Sequence, residues 1–283
     1  MKKWLLALLT AFAVFALAAC GSSTEKKDEQ AGGDGGKDDK EIVVGASNVP
    51  HAVILEEAKP LLKEKGYDLK IETFQDYVLP NKSLQEGDLD ANYFQHIPYF
   101  ETQKKEHGYK FTNAGGIHVE PIGVYSKKYK SLNELPKGAT ILMSSSVADH
   151  GRVLKMLEKE GLIKLKEGVK KEEAMIEDIA ENKKELKFDY NYEAALLPQA
   201  YNNGEGDAVL INSNYAIDAG LKPLKDAIAI EDKEDIPYIN IVAVRSGDEK
   251  KEKIKALVEV LHSKEIQDFM LKEWNGAVVP VSK

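Results

Sequence analysis

The chain has 283 residues, 43% of them hydrophobic, a formal charge of −8 and a single cysteine. The acidic balance excludes the basic footprint that nucleic acid requires, and it argues against electrostatic adhesion to an anionic bilayer. One cysteine excludes an internal disulfide, and the ~240 residues that follow the first forty are too many for one comfortable core, which implies two lobes.

Lys2 and Lys3 precede an apolar run from Trp4 to Ala19, too short and wrongly flanked to span a bilayer. The run closes on Leu17-Ala18-Ala19-Cys20, the form of a lipoprotein cleavage box. Residues 1–19 therefore read as a signal peptide, and Cys20 as the lipidated first residue of the mature chain. Cleavage removes two lysines and no acid, taking the net charge from −8 to −10. One acyl chain holds a protein only marginally, so a stable anchor needs two or more. Gly21 to Lys40 holds one alanine and no larger apolar residue. It reads as a disordered tether with a span of roughly 25 Å.

Ile42 to Ala46 reads as a buried strand. A helix from His51 to Lys65 follows, with Ile54, Leu55, Ala58, Leu61 and Leu62 on one face, Asn48 as N-cap, Gly66 as stop and a kink at Pro60. Leu69 to Phe74 alternates as a second strand, and a short helix from Ser83 ends at Gly87. The next stretch, Gly87 to Phe100, gathers Tyr93, Phe94, Tyr99 and Phe100 with Asn92, Gln95 and His96. Broken by Pro98 and dotted with amides, it reads as a poor core strand. It suits the wall of a pocket for a ligand with one apolar and one polar end; a surface loop with packed aromatics is the alternative.

The second half repeats the grammar. Ser131 with Glu134 forms a capping-box pattern before Pro136, Thr140 to Met143 reads as a strand, and Val147 to Glu160 as a helix. Glu172 to Asn182 and Ala194 to Asn202 read as further helices, Ala208 to Ile211 and Tyr238 to Arg245 as strands, and Lys250 to Ser263 as an amphipathic helix. The echo of Glu86-Gly87-Asp88 in Glu205-Gly206-Asp207 fits two lobes of similar build. Alternating strands and helices imply an α/β fold with parallel crossovers.

No catalytic constellation stands out. None of the six histidines pairs at the spacing of a helical metal site, and neither a nucleophile elbow nor a phosphate loop is present, so no metal, cofactor or enzymatic activity is expected. Arg152 is more informative, because the chain has two arginines against thirty-seven lysines. A planar guanidinium near a helix start suits bidentate capture of a carboxylate; a surface arginine is the plainer reading. Asn212 follows the apolar strand Ala208 to Ile211, at the end where open α/β sheets bind ligands. Asn240 is a polar residue inside an apolar strand and needs partners, from the backbone or from a ligand.

Several segments together resemble the methionine-binding lipoproteins (MetQ/NlpA type) of bacterial ABC importers: Pro50-His51-Ala52, Asp76 to Asn81, Gly87 to Phe100, Tyr125-Ser126, Gly151-Arg152, Ile211 to Ala216 and Pro237 to Asn240. The resemblance implies a two-lobed periplasmic-binding-protein-like fold of type II, each lobe a sheet flanked by helices, with two crossover segments. Lobe 1 would span 41–122 and 238–283, and lobe 2 would span 123–237. By that pattern Tyr77, Phe94, His96 and Tyr99 would cage a thioether, Arg152 would hold the ligand carboxylate, and Asn212 and Asn240 would bond the amino-acid backbone. The implied ligand is methionine, L-methionine foremost, delivered to an ABC permease and its ATPase. The implied location is the outer face of a cell membrane, of Gram-positive type given the Lys-rich composition. Many relatives carry Pro-Asn-Asp-Pro before the arginine, where this chain has Ser144 to His150. That departure bears on the choice between free methionine and a methionine-containing dipeptide or derivative. A surface adhesin on the same fold and a metal-dependent hydrolase are the rival classes.

Overall fold

The computed structural model describes residues 40–232 and 237–281. The signal peptide, Cys20 and the tether to Asp39 lie outside the described residues. The first strand, β1 (Glu41–Ser47), leads through a single wide turn into α1 (Val53–Glu64). Next come β2 (Asp68–Phe74), α2 (Leu79–Glu86), β3 (Ala91–His96), α3 (Ile97–His107) and β4 (Phe111–Val119). After β5 (Gly123–Tyr125) and β6 (Thr140–Ser144), α4 (His150–Lys159) precedes β7 (Ile163–Leu165), β8 (Ile179–Asn182) and β9 (Lys187–Tyr192). The chain continues through α5 (Leu197–Asn203), β10 (Ala208–Ile211), α6 (Ser213–Asp218), α7 (Pro223–Asp226) and β11 (Ala229–Ile230). It closes with β12 (Ile239–Arg245), α8 (Glu252–Leu261), α9 (Lys264–Glu273) and β13 (Val279–Pro280).

Two sheets divide the strands. One is six-stranded in the order β13-β4-β12-β3-β1-β2; the other is five-stranded in the order β11-β5-β10-β6-β9, with β7 and β8 pairing apart. The six-stranded lobe takes its strands from both ends of the described chain, because β12 returns to lie antiparallel between β3 and β4. β1 pairs in parallel with β2 and β3, the crossovers being α1 and α2. Apolar residues of β1, α1, α8 and α9 make the main core of this lobe; Val153, Leu154 and Leu157 of α4 pack on β6 in the other.

Several expectations change. Within Gly87 to Phe100, β3 is a central and almost fully buried strand, not a loop. Its amides are tolerated because they satisfy one another: Asn92 donates to Asn81 and to the Pro80 carbonyl, and Gln95 exchanges bonds with Asn81. Pro98 falls in the first turn of α3, where its missing N–H costs nothing. Gly87 does cap α2, at φ 93°, but that helix starts at Leu79, since Asp76 accepts from the Val78 and Leu79 N–H groups. α1 runs unbroken through Pro60; this residue and Glu56, whose carbonyl loses its partner, are both exposed to water. Asn48 does not cap it and instead donates to Asp218. Ser131 makes no side-chain cap either, and Glu134 accepts from the Lys130 N–H.

The helix expected over Glu172 to Asn182 is absent. Short turns at Lys171–Glu173 and Ile176–Asp178 lead into β8, whose pairing with β7 outweighs the helix propensity of the Glu/Lys/Ala run. The first turn is fixed by close approach to α4. A Cβ on Gly151 would stand 2.5 Å from the Lys171 carbonyl oxygen, so only glycine fits beside Arg152.

Candidate functional site

Tyr77, Phe94, His96, Tyr99, Arg152, Asn212 and Asn240 all line one cavity between the two sheets. Its free volume of about 20 Å³ has room for little more than one water, so the walls are drawn together. A larger chamber of about 650 Å³ lies outside it and shares Tyr77 and Tyr99 as walls.

The aromatic side is built by β3, the start of α3 and the loop before α2. The Tyr77 ring centre lies 5.9 Å from Phe94, 5.8 Å from Tyr99 and 4.9 Å from Tyr215, within the range of favourable ring contacts. Its hydroxyl donates to Asn214 Oδ1 at 2.6 Å, and the Tyr99 hydroxyl donates to the Tyr77 carbonyl at 2.9 Å. Tyr215 donates in turn to the Gln75 carbonyl, so these hydroxyls bridge the lobes in both directions. His96 caps α3 by accepting the Tyr99 N–H at Nδ1, which leaves the proton on Nε2. That Nε2–H donates to Asp149 Oδ1 at 3.1 Å.

The ionic side starts in the short turn Val147–Asp149 and the first turn of α4. Arg152 is buried, with the Tyr238 ring 4.3 Å from its guanidinium carbon. Nε donates to both Glu231 oxygens at 3.0 and 3.1 Å; Nη2 donates to Glu231 and to the Glu120 carbonyl. Burial works against the guanidinium charge, yet Glu231 holds its pKa above the usual value. Nη1 alone faces Asp149, 3.5 Å from Oδ1. The other Asp149 oxygen accepts from Asn212 Nδ2 at 3.1 Å. Burial pushes the Asp149 carboxyl up, but the His96 hydrogen bond and the Arg152 guanidinium prevail and hold it at about 2.

At one wall of the cavity, Tyr93 meets His118 Nδ1, His118 Nε2 meets Glu120 Oε1 at 2.8 Å, and His51 Nε2 lies 3.1 Å from Asn240 Oδ1 and 3.3 Å from Glu120 Oε1. Burial lowers His51 to about 4 and His118 to about 3, so both rings are neutral near pH 7. Burial also raises Glu120 above its ordinary value, against the pull of His51 and Arg152. His51, His118 and Glu120 bring ligand-type atoms within 4.8 Å of one another, the spacing of a metal site that the sequence did not reveal. Hydrogen bonds already engage the three atoms that face one another, so protons account for the arrangement.

Sequence reasoning missed Glu120, Asp149, Glu231 and Asn214. Acids are too common in this chain for any one to stand out, and Asn214 lies two residues past Asn212 in α6.

The family model for NlpA lipoproteins matches residues 42–282. The chain is 52% identical to the methionine-binding lipoprotein MetQ of Bacillus subtilis, with all of both chains covered. It is 41% identical to the D-methionine-binding lipoprotein MetQ of Escherichia coli, over 86% of this chain and 89% of the relative. Among solved structures, a nutrient-binding protein from Burkholderia cenocepacia bound to methionine superposes with a TM-score of 0.79 at 42% identity, covering 84% of this chain and 99% of that one.

Proposed function

The chain belongs to the NlpA lipoprotein family, and from that membership we propose that it captures methionine, L-methionine foremost, between its lobes and passes it to an ABC permease and its ATPase. The observation that carries this reading is convergence. Seven side chains from separate stretches of sequence meet at one cavity, with rings at one pole and a guanidinium at the other. Aromatic faces suit a polarisable thioether at about 0.3–1.5 kcal/mol per contact. A zwitterion in a dry cavity costs several kcal/mol unless both its charges are met, which Arg152 and the amides of Asn212 and Asn240 would do. The small free volume means that the lobes must part about a hinge to admit the ligand and then close on it.

In this reading lobe 1 comprises 41–122 and 238–283, lobe 2 comprises 123–237, and lipid on Cys20 holds the protein to the outer face of the membrane. Among the described residues no helix is long and apolar enough to cross a bilayer. A methionine-containing dipeptide is the second reading; the outer chamber beyond Tyr77 and Tyr99, with its ~650 Å³, favours it. Titration calorimetry with L-methionine, D-methionine and both glycine–methionine dipeptides tests the proposal. Saturable heat with L-methionine, weakened by at least about 2 kcal/mol in Arg152→Ala, is expected. No heat with any of the four would overturn it.

A further inference from the structure

Two carboxyl groups, Asp149 and Glu120, line the inner cavity together with His96 and the guanidinium of Arg152. That cation is largely committed elsewhere. Nε and Nη2 bind Glu231, which lies behind the wall, so only Nη1 is turned toward Asp149, at 3.5 Å. His51 donates to Glu120 or Asn240 and His118 to Glu120, and both rings are neutral near pH 7, so neither adds a compensating charge. The cavity therefore holds two buried carboxyl groups, one of them already bonded to His96, in a site nearly closed to water, where unpaired charge is costly.

Asp149 also touches three of the groups expected to bind the ligand: His96 Nε2 and Asn212 Nδ2, each at 3.1 Å, and Arg152 Nη1. A carboxylate oxygen has two lone pairs, and among the described residues Oδ2 has Asn212 as its hydrogen-bond donor. It is a fixed acceptor at the centre of the site, with capacity for one more donor. A ligand carboxylate, by contrast, must share a guanidinium already neutralised by Glu231.

We propose that Asp149, supported by Glu120, receives the ammonium group of the ligand, and that the site selects for a free α-amine more strongly than for a free carboxylate. The inference rests on the methionine-capture reading above and deepens it. Ligands of the class are thioethers with an unblocked amine. N-acylated and deaminated methionine fall outside it, whereas methionine with its carboxyl blocked falls inside.

Calorimetry on the full chain with four compounds separates the possibilities: L-methionine, methioninamide, N-acetyl-L-methionine and 4-(methylsulfanyl)butanoate. The last loses the amine without adding bulk. Both amine-lacking compounds should bind at least a hundredfold more weakly than methionine, and methioninamide should lose less than either. In Asp149→Asn, methionine should weaken at least tenfold, and its advantage over 4-(methylsulfanyl)butanoate should shrink by the same factor. If Asp149 served only to hold Arg152 and Asn212 in place, the variant would weaken both compounds alike and the advantage would persist. That result overturns the inference, as does wild-type binding of 4-(methylsulfanyl)butanoate within threefold of methionine. Silence from all four compounds would overturn the methionine reading itself, and this inference with it.

Discussion

Tyr77, Phe94 and Tyr99 reach the cavity from the six-stranded lobe, whereas Asp149, Arg152 and Asn212 reach it from the five-stranded lobe. The rings come from one continuous run, Tyr77 to Tyr99, centred on a strand, β3, whose amides are locked to α2. The charged and amide groups come from a short turn, the first turn of α4 and the residue before α6, three places brought together only by folding. Ring contacts tolerate small displacements, while ionic contacts in a dry site do not. The difference assigns shape to one half of the molecule and electrostatic register to the other.

The largest effect should come from breaking the charged half. Arg152→Ala leaves Glu231 buried without its cation and should lower unfolding free energy by about 3–5 kcal/mol in urea titrations. A loss below 1 kcal/mol would mean that Glu231 is not held as described.

Acid should come next, and it acts through the six-stranded lobe. His51 and His118 titrate near 6.5 when unfolded but at about 4 and about 3 when folded, so the unfolded chain takes up their protons first as pH falls. Their contribution is complete above pH 6.5 and is lost as the pH drops from there to about 4 for His51 and about 3 for His118. Glu120 is shifted upward and acts in the opposite sense above about pH 4.5, offsetting part of the loss. Urea midpoints should fall by a few kcal/mol equivalent across this window, and His118→Gln should flatten the slope. A flat profile in the parent chain would remove the buried pair from the argument.

Support for the ring-bearing run can be tested away from the cavity. Arg245 donates to the Leu84 and Leu89 carbonyls on either side of Gly87, pinning the turn between α2 and β3. Arg245→Ala should cost about 1–2 kcal/mol in stability, with no equivalent of the loss in charge register. The smallest effect belongs to the contact that joins the halves. Tyr77→Phe keeps the ring but deletes the hydroxyl bond to Asn214, and should weaken methionine about fivefold, or about 1 kcal/mol. An unchanged affinity would show that closure does not depend on that bridge.

The same contrast explains what could be read from the sequence. The aromatic run was legible because its residue types are unusual and contiguous, although its amides disguised β3 as a loop until Asn81 was seen to pair with them. Arg152 was legible because arginine is rare in this chain. Its partners were not, since only folding distinguishes the buried Glu231, Asp149 and Glu120 from dozens of solvated acids. β8 escaped for a related reason: the Glu172 to Asn182 run favours a helix locally, and only pairing with β7 makes its end a strand.

The return of β12 to the middle of the first sheet has a consequence for how the molecule is made. A chain emerging from its N-terminus presents β1 to β4 early, but β3 and β4 stay unzipped until residues 239–245 arrive. The half that carries the rings therefore cannot mature before the half that carries the charges has been synthesised. Throughout that interval two open strand edges are available to any passing neighbour, so a chaperone acting on the unfinished chain would protect it chiefly at the seam that β12 later fills.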